Sequence, residues 1–186
     1  MSIDTLDTAR LHLRAWQDSD LSAFAALNAD PRVMHYFPST LSAAASHRQA
    51  ATLRHVMQRV GWGLWAVELK AVTPFIGVVG LNPIGDDLPI APGVEIGWRL
   101  AANYWHQGYA SEAARAVLAY AFQRLSLPEV VSFTAVINQP SRRLMARIGM
   151  HYHGERFAHP RLPAGHPLRD HVVYRLTRQQ WQEQTC

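Results

Sequence analysis

A chain of 186 residues is long enough for one domain with a substantial core and short for two. Hydrophobic residues make up 48% and charged residues 17%, which argues against a disordered chain, and no apolar run approaches the roughly 18 residues of a membrane span. The formal charge of +4 is almost all arginine, with Lys70 the only lysine, and these arginines are scattered rather than gathered into the basic stripe of a nucleic-acid binder.

The opening MSIDTLDTAR is polar and acidic at its start and lacks the basic and apolar regions of a secretory signal. The only cysteine is Cys186, so neither an internal disulfide nor a cysteine metal site is expected. A cytoplasmic protein fits these features. Arginine forks suit phosphates and carboxylates, so the charge balance fits an anionic ligand as well as an ordinary solvated surface.

LHLRAW, from Leu11, alternates apolar and polar residues and predicts a first strand. Asp18 or Ser19 caps a short helix to about Asn28, which Asp30-Pro31 ends. A second helix starts near Ser39 or Thr40 and runs to Val60, with Gly61 as its stop. GLWAVEL and FIGVVGL read as strands joined by a turn around Pro74, and Asp86 to Gly93 as a loop. VEIGWRL is the next strand. After Gly108, the spacing of Val117, Leu118, Ala121, Phe122 and Leu125 predicts a helix. VVSFTAV follows as a strand, and NQPSRRLMARIGM as a short helix capped by Asn138 and stopped by Gly149. HYHGERF and HVVYRLT close the chain as strands around the Pro-rich HPRLPAGHPLRD. Strands and helices interleave, so the class is α/β or α+β, and two closing strands with no helix between them argue against a doubly wound fold.

The order strand, loop, glycine, helix in VEIGWRLAANYWHQGYASEA carries the most chemical information. The first turn of a helix leaves backbone N–H groups unpaired, and the macrodipole adds positive character there. At Gly108 the absence of a side chain lets a phosphate approach; Ala110 keeps the next approach open and Ser111 adds a hydroxyl. Backbone amides from His106 to Ser111 form the expected cradle for a pyrophosphate. A glycine needed only for the turn explains the loop equally well.

His106-Gln107-Gly108-Tyr109-Ala110 resembles the acetyl-CoA loop of the Gcn5-related N-acetyltransferase (GNAT) superfamily, written Gln/Arg-x-x-Gly-x-Gly/Ala. Trp105 stands where that pattern has Gln or Arg. Tyr104-Trp105 is similar to the branch that acetylates ribosomal-protein N-termini. TARLHLRAW resembles the family's opening strand, FIGVVGL its central hairpin, EIGWRL the strand before the loop, Asn138-x-x-Ser141 with Arg-Ile-Gly-Met its later helix, and YRLTRQQW its last strand and terminal helix. The resemblance implies a single domain over residues 1–186, with a mixed, mostly antiparallel central sheet of about six to seven strands and helices on both faces. It implies acetyl-CoA as co-substrate, held by Leu100, His106, Gln107, Gly108, Tyr109, Ala110, Ser111 and Asn138.

The implied reaction moves acetyl from a thioester to an amine, which must be neutral to attack. At pH 7, deprotonating a lysine amine costs roughly 4.6 kcal/mol, and an α-amine only about 1.1. Glu95, among apolar neighbours on VEIGWRL, is the candidate general base, because partial burial raises a carboxyl pKa. The alternative is a glutamate that anchors the substrate ammonium or pairs with an arginine. Ser141 is the candidate proton donor to the departing thiolate, directly or through water; Met145, a turn later, cannot donate one. The alternative is a helix-start serine bonded to nearby backbone. Asn138 is expected to contact pantetheine amides, to cap its helix, or both. Arg142 and Arg143 either reach phosphates or stay solvated.

The resemblance places the acceptor near His35, Tyr36 and Phe37 and the segment from His159 to Asp170, where Arg161, His166 and Arg169 add charge. A protein N-terminal amine leads as acceptor, with a small-molecule amine as the alternative and a non-catalytic acyl-CoA-binding module as a further one. His151-Tyr-His153 puts two rings on one strand face, but without a third ligand no metal is expected. Neither nucleic acid nor membrane is expected as a partner, and the chain is expected to be a monomer or homodimer.

Overall fold

The computed structural model describes residues 3–185. Cys186, the only cysteine, lies outside the described residues. Eight strands form: β1 (Leu6–Asp7), β2 (Leu11–Arg14), β3 (Leu64–Leu69), β4 (Thr73–Pro83), β5 (Val94–Leu100), β6 (Glu129–Ala135), β7 (His151–Ala158) and β8 (Asp170–Thr177). Their order in one sheet is β1-β2-β3-β4-β5-β6-β8-β7. β1 to β4 pair antiparallel in succession, as do β6 with β8 and β8 with β7, while β5 and β6 run parallel. The helices are α1 (Asp20–Ala29), α2 (Ala43–Val60), α3 (Tyr109–Ala119), α4 (Gln139–Arg147) and α5 (Arg178–Thr185). This is a mixed, mostly antiparallel sheet with interleaved helices, the architecture that the resemblance implies.

Three expectations need correction. The sheet has eight strands rather than six to seven, because the two residues of β1 are too few for alternation to show. The turn between β3 and β4 lies at Lys70–Val72, where Ala71 is left-handed (φ 59) and Val72 N–H donates to Leu69 O at 3.0 Å, whereas Pro74 lies inside β4. α2 begins at Ala43, after the chain has passed Ser39 and Thr40, because Ser42 supplies the cap: its Oγ accepts from Ala45 N–H at 3.2 Å.

The chain divides into two compact units, Met1–Leu81 with Gly97–Val117, and Asn82–Ile96 with Leu118–Cys186. In the first, the apolar faces of β2, β3 and β4 pack with α1 and α2. Trp16 meets Phe24 edge-on at 4.9 Å, and Phe75 lies 6.1 and 6.5 Å from these two rings. The indole N–H of Trp16 donates to Leu64 O at 2.7 Å, so burial of the ring leaves no donor unmet. Each such buried side chain contributes about 1.5–3 kcal/mol. Gly77, at φ +148, lets β4 approach closely: a Cβ there would stand 2.2 Å from Arg99 O.

In the second unit, Leu88 and Ile90 of the loop after β4 join Ile84, Val131 and Val173 in one apolar cluster. The loop is therefore polar in its turns and apolar at its anchors. Across the closing strands, Arg175 donates to Glu129 at 2.6 Å and to Glu155 at 2.7 and 2.9 Å. The end of the long helix loosens into a π turn, Tyr120–Arg124, and its Phe122 meets Trp181 of α5 at 5.5 Å.

Candidate active site

α3 starts at Tyr109, directly after Gly108, as the sequence predicts. Gly108 has φ +82 and His106 φ +60, so the loop passes through left-handed conformations on both sides of Gln107. Among the described residues, no acceptor is hydrogen-bonded to the backbone N–H groups of residues 106–111. His106, Gln107 and Gly108 are exposed, Tyr109 and Ala110 half-buried, and Ser111 buried. A row of unmet N–H groups at a helix start, next to an exposed glycine, fits a pyrophosphate.

The loop is held rather than slack. The indole N–H of Trp105 donates to Leu100 O at 2.8 Å, which ties the loop to the end of β5. Trp105, the departure from the general loop pattern, thus has a bracing contact of its own. Gln107 spends its amide on Asn103 O at 2.9 Å. Arg10 donates to Gln107 O at 3.0 Å, pairs with Glu112 at 2.7 Å and lies 4.4 Å over the Tyr109 ring. The sequence reading missed Arg10. Its signal was faint, since an arginine in TARLHL carries no spacing that links it to a loop so distant in sequence.

Glu95 is half-buried on β5. Burial raises its pKa above the ordinary glutamate value, against the lowering effect of an Asn82 Nδ2 hydrogen bond at 3.2 Å and of Arg161. Its backbone pairs with Val131 in the single register contact between β5 and β6. Next to it, Ser132 Oγ donates to Ile96 O at 3.0 Å, a side chain standing in for a ladder amide. A carboxyl with one amide donor and a raised pKa is suited to accepting a proton.

Asn138 caps α4, as expected: its Oδ1 accepts from Ser141 N–H at 3.3 Å. Its Nδ2 donates to Thr134 Oγ1 at 2.8 Å and to Ser141 Oγ at 3.1 Å. Asn138 is buried, and both amide protons are engaged within the protein. It therefore fixes the position of Ser141.

Arg142 does not remain solvated. It donates to Val136 O at 3.0 Å and lies 5.9 Å over the Tyr152 ring, whereas Arg143 is exposed. Arg161, expected to add charge near the acceptor, forms a two-point pair with Asp87 at 2.8 Å for both bonds, so much of its charge is met. The rings of His151 and His153 stack at 6.0 Å, and among the described residues no group of three or more His, Cys, Asp or Glu side chains could hold a metal.

His35 and Tyr36 meet edge-on at 4.7 Å, with His35 exposed. Phe37 lies under a side chain that the sequence reading did not single out: the Arg99 guanidinium stands 4.3 Å over its ring. Arg99 Nη1 donates to Asn28 and to Gln49 Oε1, the latter at 3.2 Å. The available signal was a lone cation in the otherwise apolar second half of VEIGWRL.

The sequence matches the acetyltransferase (GNAT) domain family over residues 10–151. YkkB of Bacillus subtilis (strain 168) is 34% identical over 152 residues, covering 79% of this chain and 85% of its own length. The N-acetyltransferase YnaD of the same organism is 29% identical over 177 residues, covering 95% and 98%. The crystal structure of a GNAT-family acetyltransferase from Bacillus anthracis superposes with a TM-score of 0.79 at 25% identity, covering 95% of this chain and 99% of that one. The chain belongs to the GNAT acetyltransferase family and is an acetyl-CoA-dependent N-acetyltransferase. No helix among the described residues is long and apolar enough to cross a membrane.

Proposed function

We propose that this acetyltransferase acts on a primary amine at a protein N-terminus, within the branch that acetylates ribosomal proteins. The row of unmet N–H groups from His106 to Ser111 carries the acetyl-CoA part of the reading. The branch rests on Tyr104-Trp105 and on serine at position 141.

Acetyl-CoA supplies the acetyl group on a thioester, with a thiolate as leaving group. Backbone amides of residues 106–111 hold its pyrophosphate, with Leu100 and Asn138 along the remainder. Glu95 takes the proton that the attacking nitrogen loses as the C–N bond forms and the C–S bond breaks. Ser141 hydrogen-bonds the departing sulfur and passes it a proton, its own or one relayed from water. His35, Tyr36 and Phe37 line the acceptor. For an α-amine the demand on the base is modest, since deprotonation at pH 7 costs only about 1.1 kcal/mol.

A small amine is the second reading, favoured by the aromatic and cationic surroundings of Phe37 and Arg99. A screen of amines with acetyl-CoA, reading thiol release, tests both. Peptides with free N-termini are expected to turn over and their N-blocked forms are not. Turnover confined to small amines would replace the N-terminal reading with the second.

A further inference from the structure

Arg99 carries a charge that the protein does not balance. Its residue is half-buried, but its Nε is sealed from solvent with no hydrogen-bond partner. Among the described residues, only Nη1 of this guanidinium finds acceptors, and both, Asn28 Oδ1 and Gln49 Oε1, are neutral amides. The guanidinium carbon lies 4.3 Å from the centroid of the Phe37 ring and 5.9 Å from that of Phe24. Among the described residues no carboxylate pairs with it, and burial alone pulls its pKa down to about 10. Nη2 makes no hydrogen bond and, unlike Nε, is not sealed.

The surroundings fix this arginine in place. Asn28 is fully buried at the end of α1 and donates to Ser46 Oγ of α2 at 3.2 Å. Gln49 lies one turn further along α2. The two helices thus hold Nη1 from one side, and Gly77 lets β4 close on the Arg99 backbone from another. An ion held so firmly, with one nitrogen left open, is prepared for an anion that arrives with a ligand. A structural arginine in the same unit looks different: Arg14 is buried against its own carboxylates.

We infer that Arg99 recognises a carboxylate on the acceptor, received at Nη2 beside the Phe37 ring, so that the enzyme acetylates amines bearing a nearby carboxylate. This rests on the reading that places the acceptor at Phe37. The carboxylate belongs either to a side chain close to a peptide N-terminus or to a free amino acid. On the proposed reading the loop at Gly108 takes the phosphates, and a planar carboxylate is the anion that suits a planar guanidinium.

Paired compounds test this: peptides with aspartate or asparagine next to the N-terminal residue, and free amino acids with their amides. Each pair is measured for turnover. Its acetylated products, which carry no amine, are titrated by calorimetry into the CoA-loaded protein. A charge-assisted hydrogen bond predicts that the wild-type protein binds the carboxylate product about 10–100-fold more tightly than the amide. Arg99→Gln is expected to bring the two within about twofold, and Arg99→Lys, which restores the charge, to recover part of the difference. The pair that shows the difference names the source of the carboxylate.

Equal binding of both products by the wild-type protein overturns the inference without any variant being needed. So does a preference that survives Arg99→Gln. Absence of turnover with every amine sinks the acetyl-transfer reading instead, and product binding still decides the role of Arg99.

Discussion

Arg14 and Arg99 are cations of the same unit, each set on a strand and turned away from solvent, and their partners differ completely. Arg14 meets Asp20 at 2.8 and 2.9 Å, Glu68 at 3.1 Å and two backbone carbonyls, so both charge and hydrogen bonds are met from within. Asp20 and then burial and Glu68 set its pKa, with the net effect upward. Arg99 has two neutral acceptors and no carboxylate, and its pKa goes the other way. The backbone of residues 106–111 resembles Arg99 in leaving donors unmet. Closed networks of the first kind hold the fold, and on the proposed reading open groups of the second kind receive a ligand. Breaking the first should cost stability; altering the second should cost binding or rate.

The largest effect on stability is expected at the closed network. Asp20→Ala leaves Arg14 buried with Glu68 as its only carboxylate, and breaking a buried pair costs about 3–5 kcal/mol. With Glu68 still in place the lower end applies, roughly a 6–12 °C drop in melting temperature for a chain of this size. A drop below about 2 °C in calorimetric melting would show that Arg14 is not held as described.

Gly108→Glu comes next, and its effect belongs to the ligand. A carboxylate about 4 Å from a phosphate costs about 4 kcal/mol at an effective dielectric of 20, close to a thousandfold in acetyl-CoA affinity. A Cβ at Gly108 meets only Arg10 Nη2 at 3.4 Å, so crowding is slight and the φ of +82 is the main obstacle to substitution. Gly108→Asn separates the two causes, since asparagine tolerates that conformation and adds no charge. It should lose far less affinity. Unchanged acetyl-CoA binding in Gly108→Glu would remove the loop from the site.

Glu95→Gln tests a half-buried carboxyl whose pKa burial raises above the ordinary value. Turnover should fall about a hundredfold on the acid side of neutrality, where the amine is charged and needs a base. The loss should shrink as pH rises toward the amine's own pKa. A lysine-like acceptor should keep a large loss across the neutral range, because its pKa lies about 2.6 units above that of an α-amine. Stability gives an independent check. A raised folded-state pKa favours folding below the unfolded value, and that contribution is lost as pH rises through the folded one. The wild-type protein should therefore lose stability relative to Glu95→Gln over that window. A change confined to KM would make Glu95 an anchor rather than a base.

Much of this site was legible before the fold was known, and the reason is local. The bounds of β5, the start of α3 after Gly108 and the Asn138 cap are short-range features, set by alternation, by a left-handed turn and by one side chain reaching its own helix. The sequence did not show the partners that lie far along the chain. Arg10 meets Glu112 and Arg99 meets Asn28 only once the strands have paired, and no spacing encodes either contact. The turn at Ala71 was misplaced onto Pro74 because proline is a strong turn signal, although here it sits inside a strand. The two-residue β1 was too short to carry a pattern at all.

Ser141→Ala is the smallest predicted effect and the most specific. Its Oγ accepts from Asn138 Nδ2 at 3.1 Å, and accepting one bond polarises the hydroxyl toward donating its own proton. The cap on α4 uses the backbone N–H of residue 141 rather than the hydroxyl, so alanine preserves it. Stability should fall by about 0.5–1.5 kcal/mol, because alanine removes the acceptor of one Asn138 amide proton, and acetyl-CoA affinity should be unaltered. Turnover should fall about tenfold, because water replaces a positioned donor to the leaving sulfur. An acetyl thioester of a more acidic thiol needs less help to depart and should close most of that gap, which a merely structural role for the serine would not do. Normal turnover by Ser141→Ala with the natural thioester, under conditions where chemistry limits the rate, would take the hydroxyl out of the mechanism.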